Sequence, residues 1–175
     1  MKNLKLKTAV LLFTVHCSLF TVFGCGYHLI GSSTLPFDSV TVKPVKNKTY
    51  EPRLEERLHN ALAKEFIAQG INVKTEKGGI EIEATVTAFE LNTIAAIDEK
   101  IQEQAITMRV DIKITDKGKV TEFTSIESPL KITFQSSGSV SQAVVHKEKA
   151  VDKACAEIAK EIIGKTVIKY AKQRP

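Results

Sequence analysis

Ile106, Met108, Val110, Ile112 and Ile114 occupy every second position, with Thr107, Arg109, Asp111 and Lys113 between them. Alternation this long predicts a strand with one buried face and one wet face. Ile80, Ile82, Ala84, Val86 and Ala88 repeat the pattern against Glu81, Glu83, Thr85 and Thr87. Phe89 and Leu91 then fall on the opposite parity, so a bulge or twist is expected near Ala88. Asp116-Lys117-Gly118-Lys119 predicts a hairpin turn. A returning strand runs from Val120 towards Phe134 and is interrupted at Ser128-Pro129, which puts it at an edge or bends it there.

A sheet with one apolar face needs a second layer, and two stretches at helical period supply it. In the first, Leu54, Leu58, Ala61, Leu62 and Phe66 form a single stripe. Pro52 suits the first helical position, Thr49 or Asn47 offers a cap, and Gly70 provides the left-handed stop. In the second, Val144, Ala150, Val151, Ala154, Cys155, Ile158, Ile162 and Val167 run to about Tyr170, with Lys147, Glu148, Asp152, Lys153, Glu157, Lys160 and Glu161 opposite. Gly164 weakens that helix by about 1 kcal/mol relative to alanine. A strand over Ser39–Val45, ending or edged at Pro44, precedes the first helix, and a short strand over Ile71–Lys74 follows it. Asn92–Glu103 reads as an uneven loop holding Ile94, Ile97 and Ile101. The expected fold is α+β: a two-layer sandwich in which two amphipathic helices pack on one face of a mostly antiparallel sheet of about four to five strands.

The start of the chain has a different character. Lys2, Lys5 and Lys7 precede a run from Thr8 to Phe23 without Asp, Glu, Lys or Arg, and Gly24 stands before Cys25. A basic start, a short apolar core and a small residue at the cut describe a secretory signal. Val22-Phe23-Gly24-Cys25 resembles the bacterial lipobox, in which the cysteine thiol receives a diacylglycerol before cleavage. The expected division is a signal peptide at 1–24, a lipidated tether at 25–38, one domain at 39–171 and a tail at 172–175. Cleavage leaves 151 residues, enough for one domain with a good core. Three of the 25 basic residues leave with the signal, so 22 face 20 acids, a balance of +2 that does not support nucleic-acid binding. Cys17 also leaves and Cys25 is expected to carry lipid, so Cys155 remains alone and no disulfide framework forms within the mature chain. Several acyl chains on one cysteine hold a protein to a membrane more firmly than one.

Catalytic hardware is sparse, and no cofactor is expected. His28 lies in the tether, and His59 and His146 read as surface imidazoles on helices. No G-x-S-x-G elbow or HExxH spacing occurs, and Gly78-Gly79 reads as a turn rather than a phosphate loop, with neither a G-K-[ST] nor a helix following it. Two features suit binding. Arg109, Lys113, Lys117, Lys119 and Lys131 gather around the hairpin in sequence and suit phosphates or carboxylates, although lysines guarding a sheet edge are the plainer account. Ile94, Ile97 and Ile101 either mark a partner surface or fold back over the core.

Cys25-Gly26-Tyr27-His28, Gly31, Leu35-Pro36, Asn47-Lys48-Thr49, Glu51-Pro52, Leu54-Glu55, Leu58 and Ala61-Leu62, in this order and spacing, resemble the opening of the LptE lipopolysaccharide-assembly lipoproteins. The resemblance continues more loosely through the hairpin and 136–163. It implies a non-enzymatic protein anchored through Cys25 in the inner leaflet of the Gram-negative outer membrane. It implies as partners a large LptD-type β-barrel, which the protein plugs, and lipopolysaccharide, which the pair inserts into the outer leaflet. Gly26 after the cysteine fits outer-membrane sorting. On this reading the five hairpin cations are candidates for lipopolysaccharide contact. A generic envelope scaffold for peptidoglycan or another secreted protein, and an exported hydrolase with a paired nucleophile and base, are the competing classes.

Overall fold

The structure, a computed structural model, describes residues 37–76, 79–97, 100–128, 131–136 and 139–171. All lie in a compact unit spanning Gly31–Pro175. The signal segment, Cys25, His28, Gly78, Pro129 and the 172–175 tail are outside the described residues. In chain order the elements are β1 (Ser39–Val42), β2 (Lys46–Asn47), α1 (Leu54–Ala68), β3 (Asn72–Val73), β4 (Ile80–Ile97), β5 (Lys100–Asp116), β6 (Lys119–Glu127), β7 (Ile132–Gln135) and α2 (Val140–Ala171).

The sheet order is β3-β1-β4-β5-β6, with β2 also on β4 and β7 also on β5. This makes seven strands among the described residues, where four to five were expected. The returning strand is split in two, and β2 is an additional strand just past the expected Ser39–Val45. β1 and β2 pair in parallel with successive parts of β4, on either side of Pro44, whose missing N–H breaks the ladder. β6 and β7 likewise pair antiparallel with successive parts of β5, across the Ser128-Pro129 interruption. The long strands β4, β5 and β6 are mutually antiparallel, as expected.

Alternation places the core as predicted. Ile82, Ala84 and Val86 stand opposite Ile114, Ile112 and Val110, and all six are buried. The register shifts between Val86 and Ala88, which brings Phe89 opposite Met108 and accounts for the change of parity. Over this face α1 buries Leu54, Leu58, Leu62 and Phe66, and α2 buries Val151, Ala154, Cys155, Ile158 and Ile162. These side chains form one cluster with the strands. The two-layer α+β sandwich therefore stands.

Both ends of α1 are informative. Gly70 takes φ 75, its N–H bonds Ile67 O at 2.9 Å, and the Ile71 N–H bonds Phe66 O at 3.0 Å. That is a Schellman stop, sealed by the burial of both Ile71 and Phe66. The start differs from expectation: Pro52 lies before the helix, and Arg53, at φ 63, is the N-cap without a side-chain cap bond. Neither Asn47 nor Thr49 caps. Asn47 instead builds the preceding loop, accepting from Thr49 N at 2.9 Å and donating to Glu51 O at 2.8 Å and Glu55 Oε2 at 3.0 Å. Glu55 and Glu56 in the first turn answer the helix dipole.

The main correction concerns Asn92–Glu103. Most of this stretch is not a loop: β4 and β5 continue pairing to Ile97 and from Lys100, forming a ribbon that β7 flanks on the β5 side as far as Glu103. Every residue of β4 from Glu90 to Ile97 is exposed. Further register shifts between Thr93 and Ala95, and between Ala95 and Ala96, scramble the parity. With solvent on both sides and no fixed parity, the sequence carries no alternating signal.

Candidate partner surfaces

The five sequence-predicted cations do not form one cluster. Along β5, Arg109 and Lys117 are eight residues apart, roughly 26 Å. Lys131 precedes Ile132, which pairs with Ile106, and so stands still farther from the turn.

Two of the five face carboxylates. The Arg109 guanidinium donates from Nε to Glu127 and stands 3.4 Å through Nη1 from Glu90 Oε1. The Glu127 hydrogen bond, then the charges of Glu127 and Glu90, hold its pKa up. Lys113 is in register with Glu83 on one side and Glu122 on the other. Lys43 adds contacts of 3.0 Å to Glu81 and 2.9 Å to Glu83, and this hydrogen bond is the main cause of Glu83's lowered pKa. The wet sheet face is thus a lattice of opposite charges, which stabilises the ladder and leaves no concentrated field for an anion.

The other three are exposed. Lys131 lines a cleft of about 460 Å³ with Ile94, Ala105, Met108, Asn92 and Glu127, a mixture of apolar wall and charge. Lys117 and Lys119 flank Gly118 at the β5–β6 turn. Lys117 at φ 47 and Gly118 at φ 85 identify the two-residue primed turn that matches strand twist.

The ribbon settles the question left open for the isoleucines: they do not fold back. Ile94 is 42% exposed, Ile97 63% and Ile101 43%, with Leu91 at 38% beside them. Sequence reasoning put Val144 on the apolar stripe of this helix but overlooked Val140 and the exposed surface at the start of α2. Val140 and Val144 continue, at helical spacing, the stripe that Val151 buries, yet they are 83% and 51% exposed. The helix lies beside β7 here, with His146 Nδ1 3.2 Å from Gln135 O and Ser136 N donating to Gln102 O at 2.9 Å. Ribbon and helix start therefore share one end of the domain. Residues 140 and 144 carried the signal, as apolar positions on a stripe that outruns the strands beneath it.

His59 and His146 are half-buried rather than surface imidazoles. The His59 Nδ1 is enclosed with no hydrogen-bond partner among the described residues, and Pro44, Val45, Asn60 and the first-turn carboxylates Glu55 and Glu56 line the hollow around that histidine. A cleft of about 590 Å³ along the helices is lined by Arg57, Lys64, Glu148 and Asp152 among others, with no serine, cysteine or histidine in its walls. Arg57 closes it, bonding Asp152 Oδ1 at 2.6 Å. Among the described residues no group of three or more His, Cys, Asp or Glu is placed to hold a metal, and no helix is long and apolar enough to cross a membrane.

A family model described as "LptE: Lipopolysaccharide-assembly" matches residues 37–166. Among solved structures, the rare lipoprotein B of Shewanella oneidensis is similar at 11% identity and a TM-score of 0.54, over 75% of this chain and 95% of that one. An uncharacterized lipoprotein B of Nitrosomonas europaea is similar at 18% identity and a TM-score of 0.50, over 79% of this chain and 88% of the other. A hypothetical protein of Chlamydia trachomatis is similar at 11% identity and a TM-score of 0.50, over 77% and 98%. At these identities the likeness shows a shared fold. No curated protein matches the sequence.

Proposed function

Since the chain belongs to the LptE lipopolysaccharide-assembly family, we propose that it is a non-enzymatic outer-membrane lipoprotein, lipidated at Cys25. It seats in a large LptD-type β-barrel, supports that barrel's assembly and helps pass lipopolysaccharide to the outer leaflet. The observation that carries the reading is the ribbon end. The ribbon presents Leu91, Ile94, Ile97 and Ile101 to solvent at the end of the domain where α2 begins with exposed Val140, Val144 and Val145. Exposed apolar side chains gathered at one end of a domain mark a partner surface. The chemistry is that of a docking element.

Within the same reading, lipopolysaccharide contact falls to the exposed cations, with Lys131 the best placed. Its cleft pairs an ammonium with Ile94, Ala105 and Met108, a combination that suits an amphiphile carrying phosphate and acyl groups. Arg109 and Lys113 are already matched by carboxylates.

The test is capture of the full mature chain from detergent-solubilised envelopes. A large heat-modifiable barrel is expected to accompany it, and to be lost when Ile94, Ile97 and Ile101 are all changed to serine. Recovery of peptidoglycan fragments or another secreted protein without a barrel would replace this function with a generic scaffold.

A further inference from the structure

The end opposite the ribbon has a different composition. Phe37, the first described residue, meets the Tyr170 ring edge-on with centroids 5.2 Å apart. The Tyr170 hydroxyl bonds Asp116, the residue that opens the β5–β6 turn. The point where the N-terminal segment enters the fold, the last turn of α2 and the Lys117-Gly118-Lys119 turn therefore form one pole. A Cβ added at Gly118 would meet nothing within 4 Å, so the tip of the turn stands clear of the domain. Lys117 and Lys119 are exposed there and join no ion pair among the described residues. Lys169 lies just behind, donating to Thr121. Of the acids at this pole, Asp116 is engaged by Tyr170, and Asp38 is exposed.

Length adds the second constraint. Phe37 lies twelve positions after Cys25, a span of at most about 43 Å. β4 starts beside this pole and runs 18 residues to the ribbon tip, roughly 60 Å. A lipid at Cys25 keeps the lysine pole close to its bilayer and leaves the apolar ribbon to reach away from it.

We infer that the Lys117–Lys119 turn docks this pole on the anionic phospholipid headgroups of the leaflet that holds the anchor; the inference rests on the reading that Cys25 is lipidated. Lysines suit this task. Each is a compact charge on a flexible stem, fitted to a diffuse field of phosphates rather than to one bidentate ligand. A basic residue near an anionic surface shifts the equilibrium by about five-fold. The contact orients a domain that the tether alone would leave free to rotate.

The test uses the full lipidated protein, purified from membranes and reconstituted into phosphatidylethanolamine vesicles with or without phosphatidylglycerol. A fluorophore on Val120→Cys, an exposed position beside Lys119, is quenched by headgroup-labelled lipid when the pole lies down. Quenching is expected only with phosphatidylglycerol, and is expected to fall at least about twenty-fold in occupancy for Lys117→Glu with Lys119→Glu. Equal quenching on both vesicles, no effect of charge reversal, or quenching by added lipopolysaccharide but not by phosphatidylglycerol would overturn the inference. Failure of every variant to stay with the vesicles would instead remove the anchor itself, and the inference with it.

Discussion

Gly118 shows how much one backbone position decides here. At φ 85, following Lys117 at φ 47, it occupies the left-handed region, where a side chain costs about 1–2 kcal/mol. Gly118→Ala should destabilise the domain by about 1 kcal/mol in urea unfolding, although nothing obstructs the added methyl. Cys155 and Tyr170 give the fold an alkaline limit. Burial pushes the Cys155 thiol up to about 12 from 9.0, with Asp152 adding to the effect. Burial and Asp116 push Tyr170 up to about 12 from 10.0. In both, the charged form is disfavoured on folding, so their contribution is complete below pH 9 and lost as pH rises towards 12. Thermal midpoints should fall across that window, and less steeply for Tyr170→Phe. Cys155 should resist maleimide until the domain unfolds.

Secondary-structure elements differ in how openly the sequence declares them. The strands through Ile80–Val86 and Ile106–Ile114 were legible because one face is buried and the other wet, so hydropathy repeats every two residues. Gly70 and the β5–β6 turn were legible because few residues take positive φ without strain. The N-terminus of α1 was misread, since Pro52 fits a first helical turn equally well but here precedes a left-handed Arg53. The ribbon was misread because exposure on both sides erases periodicity. Three changes probe these elements. Gly164→Ala in α2 meets nothing within 4 Å and should stabilise the domain by about 1 kcal/mol. Ile94→Ser, Ile97→Ser and Ile101→Ser should each alter unfolding free energy by less than about 0.5 kcal/mol, as exposed positions do. Leu58→Ala in the core should cost about 2–5 kcal/mol.

At the scale of the whole molecule the domain is polar in arrangement. Lysines and the entry point of the N-terminal segment share one end, and apolar side chains on the ribbon and the start of α2 share the other. The sequence listed the cations and the isoleucines, but their grouping depended on strand register. Five basic residues close in sequence are spread over β5, the β5–β6 turn and the approach to β7, and two of them are answered by Glu83, Glu90, Glu122 and Glu127 across the ladder. The family likewise became legible through an order of short motifs, none of which describes a surface. The central claim, that the ribbon end seats in an outer-membrane barrel, is tested most directly by a photocrosslinking residue at position 97 in the full exported chain. The account predicts an adduct with a large β-barrel on irradiation of intact cells, absent when the crosslinker replaces Lys64 on the outer side of α1. A chain that crosslinks at 97 only to soluble proteins or to itself would contradict it.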